Sequence, residues 1–179
     1  MKEKSLLLKF EIISFIFTAI FGTLLHFTYE LSNNNLFIGS FSAVNESTWE
    51  HLKLLFFPML ITTIIGYFLF KDRYNNYLCV KVKSILIGLA FIVIFFYTYT
   101  GILGTNIAII DILSFFIAVF ISHYYSYKNM NINSDCNKLR ALSSLILIFI
   151  CFVIFTYTPP KIGLFLDPVT NTYGIFKEN

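Results

Sequence analysis

Apolar residues gather in long, nearly unbroken runs along this chain, and polar residues gather in the gaps between them. A helix needs about 20 consecutive apolar residues to cross the hydrocarbon core of a bilayer. Runs over 6–29 and 52–70 predict two such helices. From Ser84 to Ser122 the only charge is Asp111, and the stretch is too long for one crossing. Thr100-Gly101-Ile102-Leu103-Gly104-Thr105-Asn106 supplies the break, because glycine adopts the backbone a tight turn needs. The third and fourth helices are therefore expected over 84–102 and 105–125. A fifth, over 141–158, stops at Pro159-Pro160, since proline has no N–H and clashes with the preceding turn. Residues 159–179 form a tail with turn formers at Asp167-Pro168 and Asn171, and with Leu164, Phe165 and Leu166 apolar enough to touch the helix ends. The expected tail is an ordered outer flap. The pattern predicts an all-α integral membrane protein, a bundle of about five transmembrane helices forming one membrane domain over 1–179.

Composition sharpens this. The chain is 57% hydrophobic and 13% charged, against about a quarter charged in soluble domains. It carries 22 Phe and 11 Tyr, more apolar surface than a soluble fold of 179 residues can hide. The first partner implied is the lipid bilayer. The sequence has no P-loop, GxGxxG, GxSxG or basic patch, so no nucleic acid partner is expected. Cys79, Cys136 and Cys151 lack ligand spacing, which argues against a disulfide framework and against a structural zinc site. Lys2, Lys4 and Lys9 give the first run the look of a signal peptide, but no small-x-small site follows it, so a retained helix is expected.

Charge also orients the bundle. Lys2, Lys4 and Lys9, then Lys71, Arg73, Lys81 and Lys83, then Lys128, Lys138 and Arg140 fall on one side of the predicted bundle; Lys53, Lys161 and Lys177 fall on the other. Cytoplasmic connections carry the excess of Lys and Arg. The N-terminus is thus expected in the cytoplasm and the C-terminus outside.

The candidate chemistry lies on the outer side. His26, Tyr29 and Glu30 close the first helix, and Asn45, Glu46, Trp49, Glu50, His51 and Lys53 open the second. His26 and Glu30, four apart, share a helix face. Ser47-Thr48-Trp49-Glu50 is a capping-box pattern, although Asn45 could cap instead. On one reading the carboxylates cap and solubilise a helix end, Trp49 and Tyr29 anchor at the interface, and His26 is a hydrogen-bonded packing residue. On the other, His26, His51, Glu30, Glu46 and Glu50 offer ligands for zinc or another divalent metal, which would use three of them, His26, His51 and Glu50 being the candidate set, and leave a carboxylate as general base. Asp111, expected about two turns into the fourth helix, is either a proton or ion site or an interhelical hydrogen-bonding group. Tyr97, Thr98, Tyr99 and Thr100 either line a cavity with the cluster or form an interfacial girdle. Glu11 is expected to snorkel or to pair with Lys9 or another basic group. His123 is expected a membrane thickness from the other histidines.

The words His26-Phe-x-Tyr29-Glu30, Asn45-Glu46-Ser47-x-Trp49-Glu50-His51-Leu52-Lys53, Tyr97-Thr-Tyr-Thr-Gly101 and Leu164-Phe-x-Asp167-Pro168 together resemble those of a family of small multi-pass bacterial membrane proteins of unknown function. Its relatives often place tryptophan after the equivalent of Glu30, where this chain has Leu31. The resemblance implies a bacterial membrane protein and carries no activity; the expected location is the inner membrane. Three function classes stand open: a sensor, assembly or scaffold subunit with protein partners or a second copy; a small-solute or ion permease using Asp111, Glu30 and Glu46; and a metal-dependent membrane hydrolase.

Overall fold

The structure, a computed structural model, describes residues 2–130 and 136–175. Lys177, with the rest of 176–179 of the predicted tail, lies outside the described residues. Among the described residues six α-helices follow in order: α1 (Lys2–Leu31), α2 (Leu36–Gly39), α3 (Thr48–Phe70), α4 (Tyr77–Leu103), α5 (Ala108–Asn129) and α6 (Lys138–Tyr157). All but α2 are long and apolar enough to cross a membrane. A 3₁₀ turn, Gly163–Phe165, and an isolated bridge between Leu166 and Tyr173 order the tail.

Short connections force successive long helices to run antiparallel. One end of the bundle therefore collects the end of α1, α2, the start of α3, the α4–α5 turn and the tail. The other collects the α3–α4 connection and the start of α6, with their Lys and Arg residues; it is called the basic end below. Helices α1, α3, α4 and α5 form a ring in which each packs on two others, and α6 leans mainly on the outside of α4. The core runs through the middle of the ring, with Leu55, Phe56, Met59, Ile85, Ala118, Val119 and Phe152 nearly sealed from solvent.

The predicted helices recur with extended ends, and each difference has a local cause. Helix α4 begins at Tyr77 rather than at 84, because Lys81, expected in a connection, is wholly buried inside it. The α4–α5 break falls where glycine predicts it: Gly104 has φ 73° and its N–H caps the Thr100 carbonyl. Helix α2 was not foreseen. Asn33 and Asn34 reverse the chain with φ of 56° and 58°, a conformation asparagine tolerates, and the Asn35 side chain then caps α2. The cysteine expectation is corrected. Cys79 and Cys136 form a disulfide tying the first turn of α4 to the approach to α6, leaving Cys151 free. A separation of 57 residues hides this pairing from any local motif.

Two buried charge groups pin the ring. Near the basic end Glu11 of α1 is 3% exposed and its Oε1 accepts from Lys81 Nζ (2.5 Å) and Ser126 Oγ (2.8 Å). Glu11 Oε2 accepts from His123 Nδ1 at 2.8 Å, so α1, α4 and α5 meet on one carboxylate. Of the expected alternatives, Glu11 thus pairs with a basic group other than Lys9, namely Lys81. The second group, Glu50 with Lys53, lies at the opposite end.

Close approach of α1 and α3 depends on Gly22 and Pro58. Pro58 lies inside α3 and has no N–H to offer the Leu54 carbonyl. A Cβ at Gly22 would stand 2.5 Å from that same carbonyl oxygen and 2.6 Å from Phe115 Cζ. Small residues let helix backbones meet in this way in membranes.

Two outcomes follow. Gly22→Val should lower the melting temperature of the detergent-purified protein by an amount equivalent to about 1–3 kcal/mol of overpacking, whereas Gly101→Ala, where nothing lies within 4 Å, should leave it unchanged or raise it. Lys81→Met should cost about 3–5 kcal/mol, because it strands a buried carboxylate, and Glu11→Leu combined with Lys81→Met should recover much of the folded yield. Size-exclusion profiles of the two variants beside the wild type check this, and a double variant no better than Lys81→Met would refute it.

Candidate functional site

The site is built by the cap of α3. Ser47 is extended (φ −69°, ψ 149°) and its Oγ accepts from the Glu50 N–H, while the Asn45 side chain accepts from the Ser47 N–H at 2.9 Å. These bonds fix the first turn of α3 and place His51 one turn beyond Ser47. The capping box is incomplete, because the Glu50 carboxylate takes the Val44 N–H (3.1 Å) instead of the Ser47 N–H.

His51 Nδ1 lies 2.9 Å from the Ser47 carbonyl. A carbonyl only accepts, so Nδ1 carries the proton and donates. Nε2 then faces Glu46 Oε2 at 3.4 Å, and His26 Nε2 faces the other oxygen, Oε1, at 3.7 Å. The two imidazoles lie 5.1 Å apart between centroids, and the three ligand atoms are all within 4.8 Å of one another. Side chains of His26, His51 and Glu46 are 27%, 33% and 48% exposed, so solvent and ions reach them. His26 Nδ1 is buried with no hydrogen-bond partner among the described residues.

With Nδ1 protonated, a neutral His51 would point an Nε2 lone pair at a carboxylate. Two states relieve this repulsion: an imidazolium, or a cation shared between the nitrogen and the carboxylate. In the imidazolium state the hydrogen bond from His51 holds the Glu46 carboxyl below its usual range, partial burial opposes it, and the charges on His51 and His26 add to the lowering. A lowered folded-state pKa means that Glu46 favours the folded state above the ordinary carboxyl value and loses that contribution as pH falls through the lowered one. At neutral pH it is a carboxylate.

Two more acids flank the trio. Glu30, exposed one turn beyond His26 on α1, lies within electrostatic reach of His26. Asp111 stands in the same relation to His51. Asp111 lies in the first turn of α5 rather than two turns deep, because the helix starts at Ala108. It accepts from the Tyr99 hydroxyl and from Asn106 Nδ2 (3.3 Å), a hydrogen-bonding role between α4 and α5. Thr98 and Thr100 donate to carbonyls of their own helix, and Tyr97 is 42% exposed.

The remaining candidates build the frame instead. Lys53, with no exposed surface, donates to Glu50 Oε2 (2.6 Å) and to the carbonyls of Gly39 (2.9 Å) and Ser42 (3.2 Å). Glu50 Oε1 accepts from Thr156 of α6 at 3.2 Å. Glu50 is thereby committed to Lys53, and Glu46 stands with the two histidines instead. Trp49 packs inward against Phe152 and Phe165 at 4.7 Å each, rather than outward as an interfacial anchor. Tyr29 is also buried, its N–H donating to Ser42 Oγ. Asn45 Nδ2 donates to the Gly174 carbonyl (2.8 Å), which ties the tail to the α3 cap. His123 sits with Glu11, far along the bundle from His26 and His51.

Sequence reasoning missed the Glu11, Lys81, His123 and Ser126 group. Its one signal was a lysine inside a segment otherwise apolar enough to be helix. No curated protein and no solved structure matches the chain. Residues 1–175 match a family of unknown function, DUF6512, and the chain belongs to that family.

Proposed function

We propose that this is a multi-pass membrane protein that holds a divalent cation, zinc foremost, on His26, Glu46 and His51 at the edge of the bilayer. The observation that carries the reading is the convergence of two imidazole Nε2 atoms on the two oxygens of one ionised carboxylate, with His51 fixed in its ligating tautomer by the Ser47 carbonyl. Zinc takes nitrogen and oxygen ligands at about 2.0–2.2 Å in a tetrahedron, which sets ligand atoms about 3.4 Å apart. The two nitrogen-to-oxygen separations, 3.4 and 3.7 Å, sit near that value, and the trio as a whole, within 4.8 Å, must contract onto the ion.

Three protein ligands and an exposed face leave one coordination position for water, the arrangement that catalytic zinc uses to generate hydroxide near neutral pH. Glu30, exposed beside the trio, has the freedom to accept the proton. This supports hydrolysis of a lipid or envelope ester or amide presented at the membrane surface. A protein without metal would favour the sensor, assembly or scaffold reading, with an imidazolium in the cation's place, or an ion permease.

The Lys and Arg bias supports an outward-facing site in a bacterial inner membrane. The Cys79–Cys136 disulfide at the basic end weighs the other way, because cytoplasmic thiols are kept reduced.

Protein purified without chelator should carry one zinc per chain by elemental analysis. His26→Ala, His51→Ala and Glu46→Ala should each weaken zinc binding by about 100-fold or more, exceeding the loss typical of an outer-shell change. Glu30→Gln should keep the metal and lose turnover in a lipid-ester hydrolase screen. No metal in the wild type, or metal retained in all three alanine variants, sinks the proposal. Orientation is read with Val169→Cys on the tail, 74% exposed. An impermeant maleimide should label it on intact cells; labelling that requires permeabilisation would reverse the assignment.

A further inference from the structure

Helix α6 packs on α4 far more than on α3, and this leaves a groove of about 480 Å³ between α3 and α6. Leu60 and Tyr67 of α3 form one wall, and Leu142, Ile146 and Phe149 of α6 the other. The charged residue in the lining is Lys138, at the basic end. From Lys138 to Phe149 the groove follows twelve residues of α6, eleven rises or about 16 Å at 1.5 Å per residue. That is about half of a 30 Å hydrocarbon core, the depth of one leaflet.

We propose that this groove is a binding site for an anionic phospholipid, with one acyl chain lying between α3 and α6 and the phosphate held at the mouth by Lys138 and Lys71. The choice of occupant rests on charge complementarity and length. Lys71 Nζ sits 6.0 Å from the ring centroid of Tyr67, which lines the groove, so a second ammonium stands beside the mouth. Arg73 and Arg140 add to the positive field there, against Asp72. A neutral lipid fills the apolar walls equally well but leaves these cations without a counter-charge.

The mouth is also rigidly built. Cys79 adjoins Leu78 of the groove lining, and Cys136 lies two residues before Lys138, so the disulfide fixes the start of α6 against α4. A preformed groove loses less ordering entropy when a chain enters it.

The test compares phosphatidylglycerol with phosphatidylcholine of the same chains, each titrated onto delipidated protein in detergent and followed by native mass spectrometry. Each lysine engaged near an anionic headgroup should contribute about fivefold in affinity. Phosphatidylglycerol should therefore bind at least fivefold tighter, and Lys138→Gln and Lys71→Gln should each reduce that preference about fivefold without changing phosphatidylcholine binding. Leu142→Trp, whose parent side chain is 48% exposed and faces the groove, should fill it and remove the tightest site for both lipids. Zinc content, which reports on the opposite end of the bundle, should not change in any of these variants, so the two proposals stand or fall separately. Equal affinity for the two lipids in the wild type, a preference that survives the double lysine variant, or lipid retained by Leu142→Trp would each overturn the groove assignment.

Discussion

A charge buried between these helices needs a counter-charge inside the protein, because moving an unpaired ammonium or carboxylate out of water costs several kcal/mol that apolar packing cannot return. Lys53 and Lys81 show how the chain meets this constraint. Each is entirely without solvent contact, and each donates to a buried carboxylate. The Lys53 ammonium spreads its protons over Glu50 and the carbonyls of Gly39 and Ser42, so it fixes the path of the segment between α2 and α3. Glu46 sits on the next stretch of that segment. The trio of His26, Glu46 and His51 therefore depends on a lysine that touches none of them.

The two charge groups divide the work by position along the bundle. Glu11 gathers helices α1, α4 and α5 near one end, and Glu50 gathers α3, its preceding loop and α6 near the other. Between them the ring is held by shape, with phenylalanine and branched aliphatic side chains in the central cluster. Groups at one end are thus satisfied within the protein, while the exposed imidazoles and carboxylates next to the Ser47 cap retain capacity for a ligand.

Much of the architecture was legible because a membrane-length helix is written locally, as an apolar run bounded by polar or helix-stopping residues. The cap of α3 was legible for the same reason, as a choice between Ser47 and Asn45. What was not legible is what folding brings together across long separations. Lys81 and Glu11 are 70 residues apart, and His123 and Glu11 are 112 apart. Reading Lys81 as a loop charge was the natural inference from a hydropathy pattern, which registers the cost of a charge but not the partner that offsets it. Glu50 shows the same blindness at short range. Its spacing to Lys53 is a helix-face neighbour relation, yet only burial reveals that the pair is closed to outside ligands and that Glu46 is the carboxylate left open.

Pro58 and Gly22 lie on different helices, 36 positions apart in the chain, and both bear on the Leu54 carbonyl. The proline withholds one backbone proton from α3, and the missing side chain on α1 makes room for the Leu54 carbonyl that this proton would have met. Replacing the proline alone would restore a donor to a carbonyl already pressed against another helix. Enlarging the glycine alone would press a methyl group onto an oxygen with nowhere to turn. Gly22 is therefore held small from two sides, by the Leu54 carbonyl of α3 and by the Phe115 ring of α5, so one missing side chain sets how closely three helices approach.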